Sequence, residues 1–401
     1  MKKHIVCVIS GSRAEFGLLR PLIARLGQRE ELETRLVVTG SHLSDEFGNT
    51  QNEVRESGFP IHAGIALPME GDAKKDMVKT TAAAMSLFAD YFSENRPELV
   101  VVLGDRYEIF GACSAAAMLG IPIAHLHGGE TTQGAVDEFL RHAITKMSFL
   151  HFTSCEDYRR RVIQLGEAPE RVFNVGALGV ENVLKLSEMP LSRLEESLGI
   201  PLAGKRLAVV TFHPVTLEES TEVRQQMELI RAMEDHPELL YIVTKANADA
   251  GGRSINETWD HEAERHGNWR VVASLGAARY LSVLRHAEMM LGNSSSGILE
   301  APALHVPTVN IGDRQKGRIM AQSVFCCEPR REDIRRAMDF AMSREGRRLA
   351  RETECPFGDG HTSEKIAEQI GAFFRKGSWD RKKVFYDIGR SQTGAGALNL
   401  Q

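Results

Sequence analysis

The chain has 401 residues, 42% hydrophobic and 26% charged, which bounds it as two or three globular domains of ordinary soluble composition. A net charge of −5 gives no global attraction to nucleic acid or anionic lipid, so neither is expected as a partner and phosphate binding must come from local groups. No apolar run reaches membrane-spanning length, and six cysteines without CxxC or metal-ligand spacing fit reduced thiols in a cytoplasmic protein.

In chain order, 4–9 reads as a first strand, too short and too soon followed by charge to be a signal-peptide core. Further strands are predicted at 33–39, 99–103, 122–126, 149–153 and 172–175, with amphipathic helices at 16–26, 74–92, 109–119 and 138–147. The run Leu99-Val100-Val101-Val102-Leu103 is apolar at every position, as in a parallel strand covered on both faces. After Gly176 the rhythm pauses through Pro190, Pro201 and Gly204, then restarts with strands at 206–212, 239–244, 270–273, 288–291 and 308–311. The pattern predicts an α/β chain of two doubly wound parallel-sheet domains facing a cleft. The first would span 1–176 and the second 177–361, with 381–401 a polar tail.

Ligands of such sheets lie beyond the strand C-termini, and the polar clusters of this chain fall there. The first strand ends at Ser10-Gly11-Ser12-Arg13-Ala14-Glu15-Phe16-Gly17, which is neither GxGxxG nor a P-loop. Arg13 is a candidate for phosphate or carboxylate, against the plain alternative of a solvated loop arginine. Asp105, in Leu103-Gly104-Asp105-Arg106-Tyr107-Glu108, is a candidate proton carrier whose pKa apolar neighbours raise and Arg106 opposes; the alternative is a helix cap. His125-Leu126-His127-Gly128-Gly129-Glu130 and Asp137-Glu138-Phe139-Leu140-Arg141-His142 offer acids and imidazoles for moving protons, with His125 alternatively a satisfied strand histidine. Their spacing is not HExxH and shows no third ligand, so no metal is expected.

In the second half, His213 follows a strand and suits a departing phosphate, while Asn247 and Asp249 close another strand and suit polar ligand groups. Gly292-Asn293-Ser294-Ser295-Ser296-Gly297-Ile298-Leu299-Glu300 runs from a strand into a helix start. Unpaired N–H groups, the helix dipole and serine hydroxyls make that a phosphate seat, and Glu300 lies one turn further in, where it can accept ribose hydroxyls. The alternative is an ordinary serine-capped helix. The loop 310–318 adds Arg314, Lys316 and Arg318.

Together GSRAEFG, LGDRYEIF, HLHGGE, DEFLRHAITKMS, FHPVT, NADAG, GNSSSG and NIGDRQKGR resemble the hydrolysing UDP-N-acetylglucosamine 2-epimerases, of the bacterial sialic-acid-pathway (NeuC) type, over about residues 3–375. The resemblance implies a GT-B-like fold, with the second domain holding the nucleotide, the first facing the sugar, and a helix within 362–380 crossing back to the first. It implies conversion of UDP-N-acetylglucosamine and water to N-acetylmannosamine and UDP, no cofactor, and a homodimer; the alternatives are a hydrolysing 2-epimerase of a UDP-2,4-diacetamido-6-deoxy sugar (legionaminic acid route) and a GT-B glycosyltransferase. Non-hydrolysing relatives carry an HVEAGLR-like segment where this chain has His125-Leu126-His127-Gly128-Gly129-Glu130, which favours the hydrolysing branch. For that reaction Asp105, Glu130 and Asp137 are the hypothesised proton-handling set, with His127 a further candidate because it occupies the position of the non-hydrolysing motif's glutamate. By the resemblance Arg13, Arg106, His213, Asn293, Ser294, Ser295, Gly297, Arg314 and Arg318 surround the UDP, with Glu300 on the ribose and Asn247 and Asp249 supporting.

Overall fold

The protein, seen in a computed structural model, is described over residues 3–44, 49–69, 74–131, 136–213, 222–246, 252–273, 275–377 and 382–389. It divides into two compact units: residues 1–178 with 361–401, and residues 179–360.

Unit 1 begins with β1 (His4–Ser10), α1 (Arg13–Gly27), β2 (Leu32–Thr39), α2 (Gln51–Glu56) and β3 (Ile61–Ile65). It continues with α3 (Lys74–Asn95), β4 (Leu99–Leu103), α4 (Tyr107–Met118), β5 (Ile123–Leu126) and α5 (Asp137–Met147). Then come β6 (Leu150–Thr153), α6 (Glu156–Gln164) and β7 (Val172–Asn174). The seven strands form a sheet in the order β3-β2-β1-β4-β5-β6-β7, every pair parallel. Strand β4 is buried along its whole length, and core residues cover both faces of the sheet.

The chain passes into unit 2 along α7 (Leu178–Lys185) and α8 (Leu191–Leu198), then β8 (Arg206–Thr211), α9 (Glu222–Glu234), β9 (Leu239–Thr244) and α10 (Gly252–Arg265). There follow β10 (Trp269–Val272), α11 (Gly276–Arg285), β11 (Ala287–Gly292), α12 (Ser296–Ala303) and β12 (Thr308–Ile311). The unit closes with β13 (Val324–Cys327), α13 (Arg331–Met342) and α14 (Arg344–Glu352). Its parallel sheet has the order β10-β9-β8-β11-β12-β13.

Helix α15 (Thr362–Arg375) belongs to unit 1, where Ile366, Ala367, Ile370, Phe373 and Phe374 join the core over α1. Beyond it Lys383 places its ammonium on the Lys146 and Ser148 carbonyls and on the buried Glu167 carboxylate, all within 2.7 Å.

Both sheets share a winding rule that locates the functional ends. Strand order runs outward from β1 through β2 and β3, then restarts at β4 on the other side of β1. Unit 2 does the same from β8, restarting at β11. At such a switch point the connections leave in opposite directions and open a crevice beyond the strand C-termini. In unit 1 the crevice is bordered by Ser10–Ser12 and Gly104–Asp105; in unit 2 by Thr211–His213 and Gly292–Ser295.

Of the four edge strands, β3 and β13 are absent from the strands expected of the sequence. Alternate residues of β3 face solvent and β13 is nowhere fully buried, so neither needs the apolar run that marks β4. The Cys326-Cys327 pair closes β13, with both thiols reduced.

Candidate functional site

The polar centre of unit 1 is built around Arg141 on α5, whose side chain is only 5% exposed. One terminal nitrogen pairs with the Asp105 carboxylate just beyond β4. The other donates to the Glu130 carbonyl at 2.8 Å and to Glu138 at 3.1 Å. The Glu130 carboxylate in turn takes the Ser154 hydroxyl at 2.7 Å, and its Oε1 lies 3.0 Å from His127 Nδ1. The Leu178 N–H donates to His127 Nε2 at 3.4 Å, so a neutral imidazole carries its proton on Nδ1, facing Glu130. Thus β4, β5, β6 and α5 deliver Asp105, His127, Glu130, Ser154 and Arg141 to one place.

The turn after β5 explains its glycines. His127 sits at φ +64°, a conformation that disfavours side chains with a Cβ. Gly129, at φ +82°, passes so close to α6 that a Cβ would lie 2.5 Å from the Tyr158 carbonyl. Only glycine lets the chain turn there and bring Glu130 back under Arg141.

The environments of the two acids differ. Burial raises the Asp105 pKa above the usual carboxylate range, with Asp137 and Glu130 adding to it and Arg141 opposing. At Glu130 burial pushes the same way, but His127, Ser154 and Arg141 outweigh it and hold the group down at about 2. The cation opposing the Asp105 shift is therefore Arg141, not Arg106 as its adjacency in sequence suggests. Arg106 turns its Nε to Glu108 instead. Nor does Asp105 cap α4, whose N-cap is Arg106 with no side-chain cap bond.

His125 is a satisfied strand histidine. Its Nε2 lies 2.8 Å from the Gly104 carbonyl and its Nδ1 3.2 Å from the Thr145 hydroxyl, and burial lowers its pKa to about 3. Asp137 opens α5 on the exposed side. Arg13 opens α1, where it is exposed and pairs with Glu53 at 2.9 Å.

In unit 2 the switch point opens a cavity of about 530 Å³, the size of a small-ligand pocket, lined by His213, Ser294, Ser295, Glu300, Tyr280 and Arg314 among others. Gly292, at φ +135°, is forced: a Cβ there would lie 2.0 Å from the Thr211 carbonyl. The Asn293 amide clamps His213 at both backbone groups, accepting its N–H at 2.7 Å and donating to its carbonyl at 2.9 Å. Asn293 thus sets the position of His213. The Ser294 hydroxyl accepts from Ser296 N–H at 3.3 Å in a local turn, while the N-cap of α12, Ser295, makes no side-chain cap bond. Gly297 serves packing, since a Cβ would meet Thr308 Cγ2 at 2.6 Å. Arg314 donates to the Asn293 carbonyl at 3.1 Å, and Arg318 is half-buried on the same loop. Asn247 and Asp249 lie outside the described residues.

Glu300 is half-buried on α12, and burial raises its pKa. Its Oε2 is buried without a hydrogen-bond partner among the described residues. Tyr280 gives its hydroxyl to Ser296 at 2.7 Å. Neither Tyr280 nor Ser154 is apparent as a site residue from sequence, because helix α11 brings the first to Ser296 and the pairing of β5 with β6 brings the second to Glu130. A second cavity of about 540 Å³, around Phe92, Arg96 and Pro122, lies at the N-terminal ends of β4 and β5, the end of a parallel sheet that ligands avoid.

Among the described residues, the one group of three side chains close enough to share an ion is Glu234, Glu262 and His266. No candidate catalytic residue belongs to it. No helix of the described residues is long and apolar enough to cross a membrane.

The family model described as UDP-N-acetylglucosamine 2-epimerase matches residues 24–371. The chain belongs to that family. It is 39% identical over 329 residues to a protein of Campylobacter jejuni named GDP/UDP-N,N'-diacetylbacillosamine 2-epimerase (hydrolyzing), covering 82% of this chain and 85% of that one. It is 37% identical to the polysialic acid biosynthesis protein P7 of Escherichia coli over 97% of this chain and 98% of that one. In fold it is similar to the Neisseria meningitidis UDP-GlcNAc 2-epimerase solved with UDP-GlcNAc bound, with a TM-score of 0.74 at 17% identity over 92% of this chain and 100% of that one. The two parallel-sheet α/β units thus have the GT-B-like fold of this family.

Proposed function

We propose that this protein is a hydrolysing 2-epimerase that converts UDP-N-acetylglucosamine and water to N-acetylmannosamine and UDP. The observation that carries the reading is the cluster of Asp105, Arg141, Glu130 and His127 at the unit 1 switch point. The C2 hydrogen of the sugar is not acidic until charge develops at C1. Breaking the bond from C1 to the UDP oxygen while a base takes the C2 proton forms the C1–C2 double bond of 2-acetamidoglucal. Water then gives its hydroxyl to C1, and a proton reaches C2 from the opposite face. One water is consumed and the configuration at C2 is inverted.

Asp105 is the group suited to carry a proton, because burial raises its pKa. Glu130, held at about 2, remains an anion that fixes the His127 tautomer. Asp137, at the start of α5, is the third member of the proton-handling set. In unit 2 the seat at Ser294 and Ser295 with His213 and Arg314 suits the departing diphosphate. The unpartnered Oε2 of Glu300 suits a ribose hydroxyl.

A second substrate is favoured by the names of two relatives, the Campylobacter protein and a Legionella pneumophila UDP-N,N'-diacetylbacillosamine 2-epimerase (hydrolyzing) that is 32% identical over 91% of this chain and 95% of that one. On that reading the sugar is a 2,4-diacetamido-6-deoxy sugar.

Proton NMR in D2O with UDP-N-acetylglucosamine and no added metal tests the proposal. UDP and N-acetylmannosamine deuterated at C2 are expected. Release of UDP with unlabelled N-acetylglucosamine would mean simple hydrolysis and overturn the epimerase chemistry. Turnover of the diacetamido sugar nucleotide alone would select the second substrate.

A further inference from the structure

Beside the proton-handling cluster, unit 1 buries a second group of charges that the reaction above does not use. Glu108, on the first turn of α4, is fully buried, and its Oε1 accepts from Arg106 Nε at 2.5 Å. Its Oε2 is buried with no hydrogen-bond partner among the described residues. Glu15, 8% exposed on α1, takes the Gly11 N–H at 2.8 Å and the Ser12 hydroxyl at 3.2 Å on one oxygen.

The two carboxylates converge on one glycine. A Cβ on Gly11 would lie 2.9 Å from Glu108 Oε1 and 3.0 Å from Glu15 Oε2, which puts those oxygens within about 6 Å of each other. A Cβ on Gly40 would likewise lie 3.0 Å from Glu108 Oε1. The turns after β1 and β2 are therefore packed against the Glu108 carboxylate so closely that a Cβ at either glycine would meet it.

A buried carboxylate is costly, and mere stability is served as well by an apolar side chain. What this one does is fix a guanidinium. Arg106 is bound by Nε alone, with its side chain 37% exposed, and its two terminal nitrogens have no acceptor among the described residues. They are donors held ready at the crevice beside Asp105.

We propose that Glu108 is a positioning residue, whose buried carboxylate grips Arg106 by Nε and presents its two terminal nitrogens to the anionic diphosphate of the sugar nucleotide. Glu15 is the second acid of the group; burial raises its pKa to about 7, against the pull of Arg106 and with Glu108 adding to the rise. A guanidinium already oriented needs no rearrangement as charge grows on the leaving diphosphate, so its orientation acts on the chemical step more than on substrate binding. The inference rests on the sugar-nucleotide reading of the site.

The test is a double-mutant cycle of Glu108→Gln, which keeps shape and an acceptor oxygen, with Arg106→Gln. Both kcat for UDP release and UDP affinity by calorimetry are measured. Glu108→Gln should lower kcat at least about tenfold with KM changed less than about threefold, and should have almost no further effect once Arg106 is Gln. An equal loss in both backgrounds, or a kcat unchanged in the single variant, would overturn the proposal. Should either variant fail to melt cooperatively, Glu108→Asp, which keeps the charge but shortens the reach by one methylene, must still show the kcat-specific loss. A wild-type protein that releases no UDP from either sugar nucleotide defeats the reaction reading. The cycle is then decided on UDP affinity: Arg106→Gln must weaken UDP and Glu108→Gln must not weaken it further in that background, and a UDP affinity unchanged by Arg106→Gln overturns the proposal.

Discussion

Arg141 reaches Asp105 across 36 residues of sequence and Glu138 across three, and holds the Glu130 backbone as well. Removing it would leave the half-buried Asp105 without its counter-cation, and the Asp105 pKa would climb further. In Arg141→Gln we expect kcat for UDP release at neutral pH to fall by about a hundredfold, with the acidic limb of the pH–rate profile displaced upward. A limb that stays in place would assign it to another group. Glu15 gives a prediction in stability. Its folded pKa of about 7 exceeds the reference of 4.5, so between these values the folded protein holds more protons than the unfolded chain. Its stabilising contribution is complete below about 4.5 and is lost as pH rises through about 7. Glu15→Gln does not titrate, so its melting temperature should gain on the wild type between pH 5 and pH 8, by the equivalent of up to about 3 kcal/mol. A constant difference would mean that Glu15 is not the titrating group. At this scale the sequence makes Asp105, Glu130 and His213 visible, because each follows an apolar strand. The partnership of Arg141 with Asp105 and the grip of Glu108 on Arg106 are not visible, since neighbours in sequence suggest a different pairing from the one that strand packing creates.

Among the elements, the strand-to-helix turns carry most of the function and most of the strain. Gly292 ends β11 at φ +135°, pressed against the Thr211 carbonyl of β8. Gly292→Ala should therefore separate these strand ends, destabilise the protein by about 2 kcal/mol or more, and weaken UDP binding. Calorimetry alongside thermal melting checks this, and unaltered UDP affinity would remove the turn from the nucleotide seat. The element pattern was most legible where burial was complete. Leu99 to Leu103 is unmistakable as β4 because both faces of that strand are covered. The edge strands β3 and β13 were not, since half-exposed strands tolerate polar residues and carry no distinctive period.

At the scale of the whole molecule, unit 2 is one continuous stretch with its own core on each side of its sheet, while unit 1 is made of two separated stretches. Residues 179–360 produced alone should melt cooperatively and bind UDP, because the cavity at its switch point is lined within that stretch. Residues 1–178 alone should aggregate, lacking the five core hydrophobic residues of α15. A soluble, cooperatively melting 1–178 fragment would contradict that division of the core. Sequence periodicity showed two doubly wound halves, yet an amphipathic helix at the end of a chain says only that it buries one face, not where.

That discontinuity has a consequence during synthesis. Leu19, Leu22 and Leu26 on α1 leave the ribosome before the whole of unit 2, and the α15 residues that share their core leave after it. At roughly 5–20 residues per second, the gap between them lasts tens of seconds. Throughout that interval unit 2 can close by itself, whereas the older unit keeps an apolar face uncovered and open to holdase chaperones. The half translated first is thus completed last.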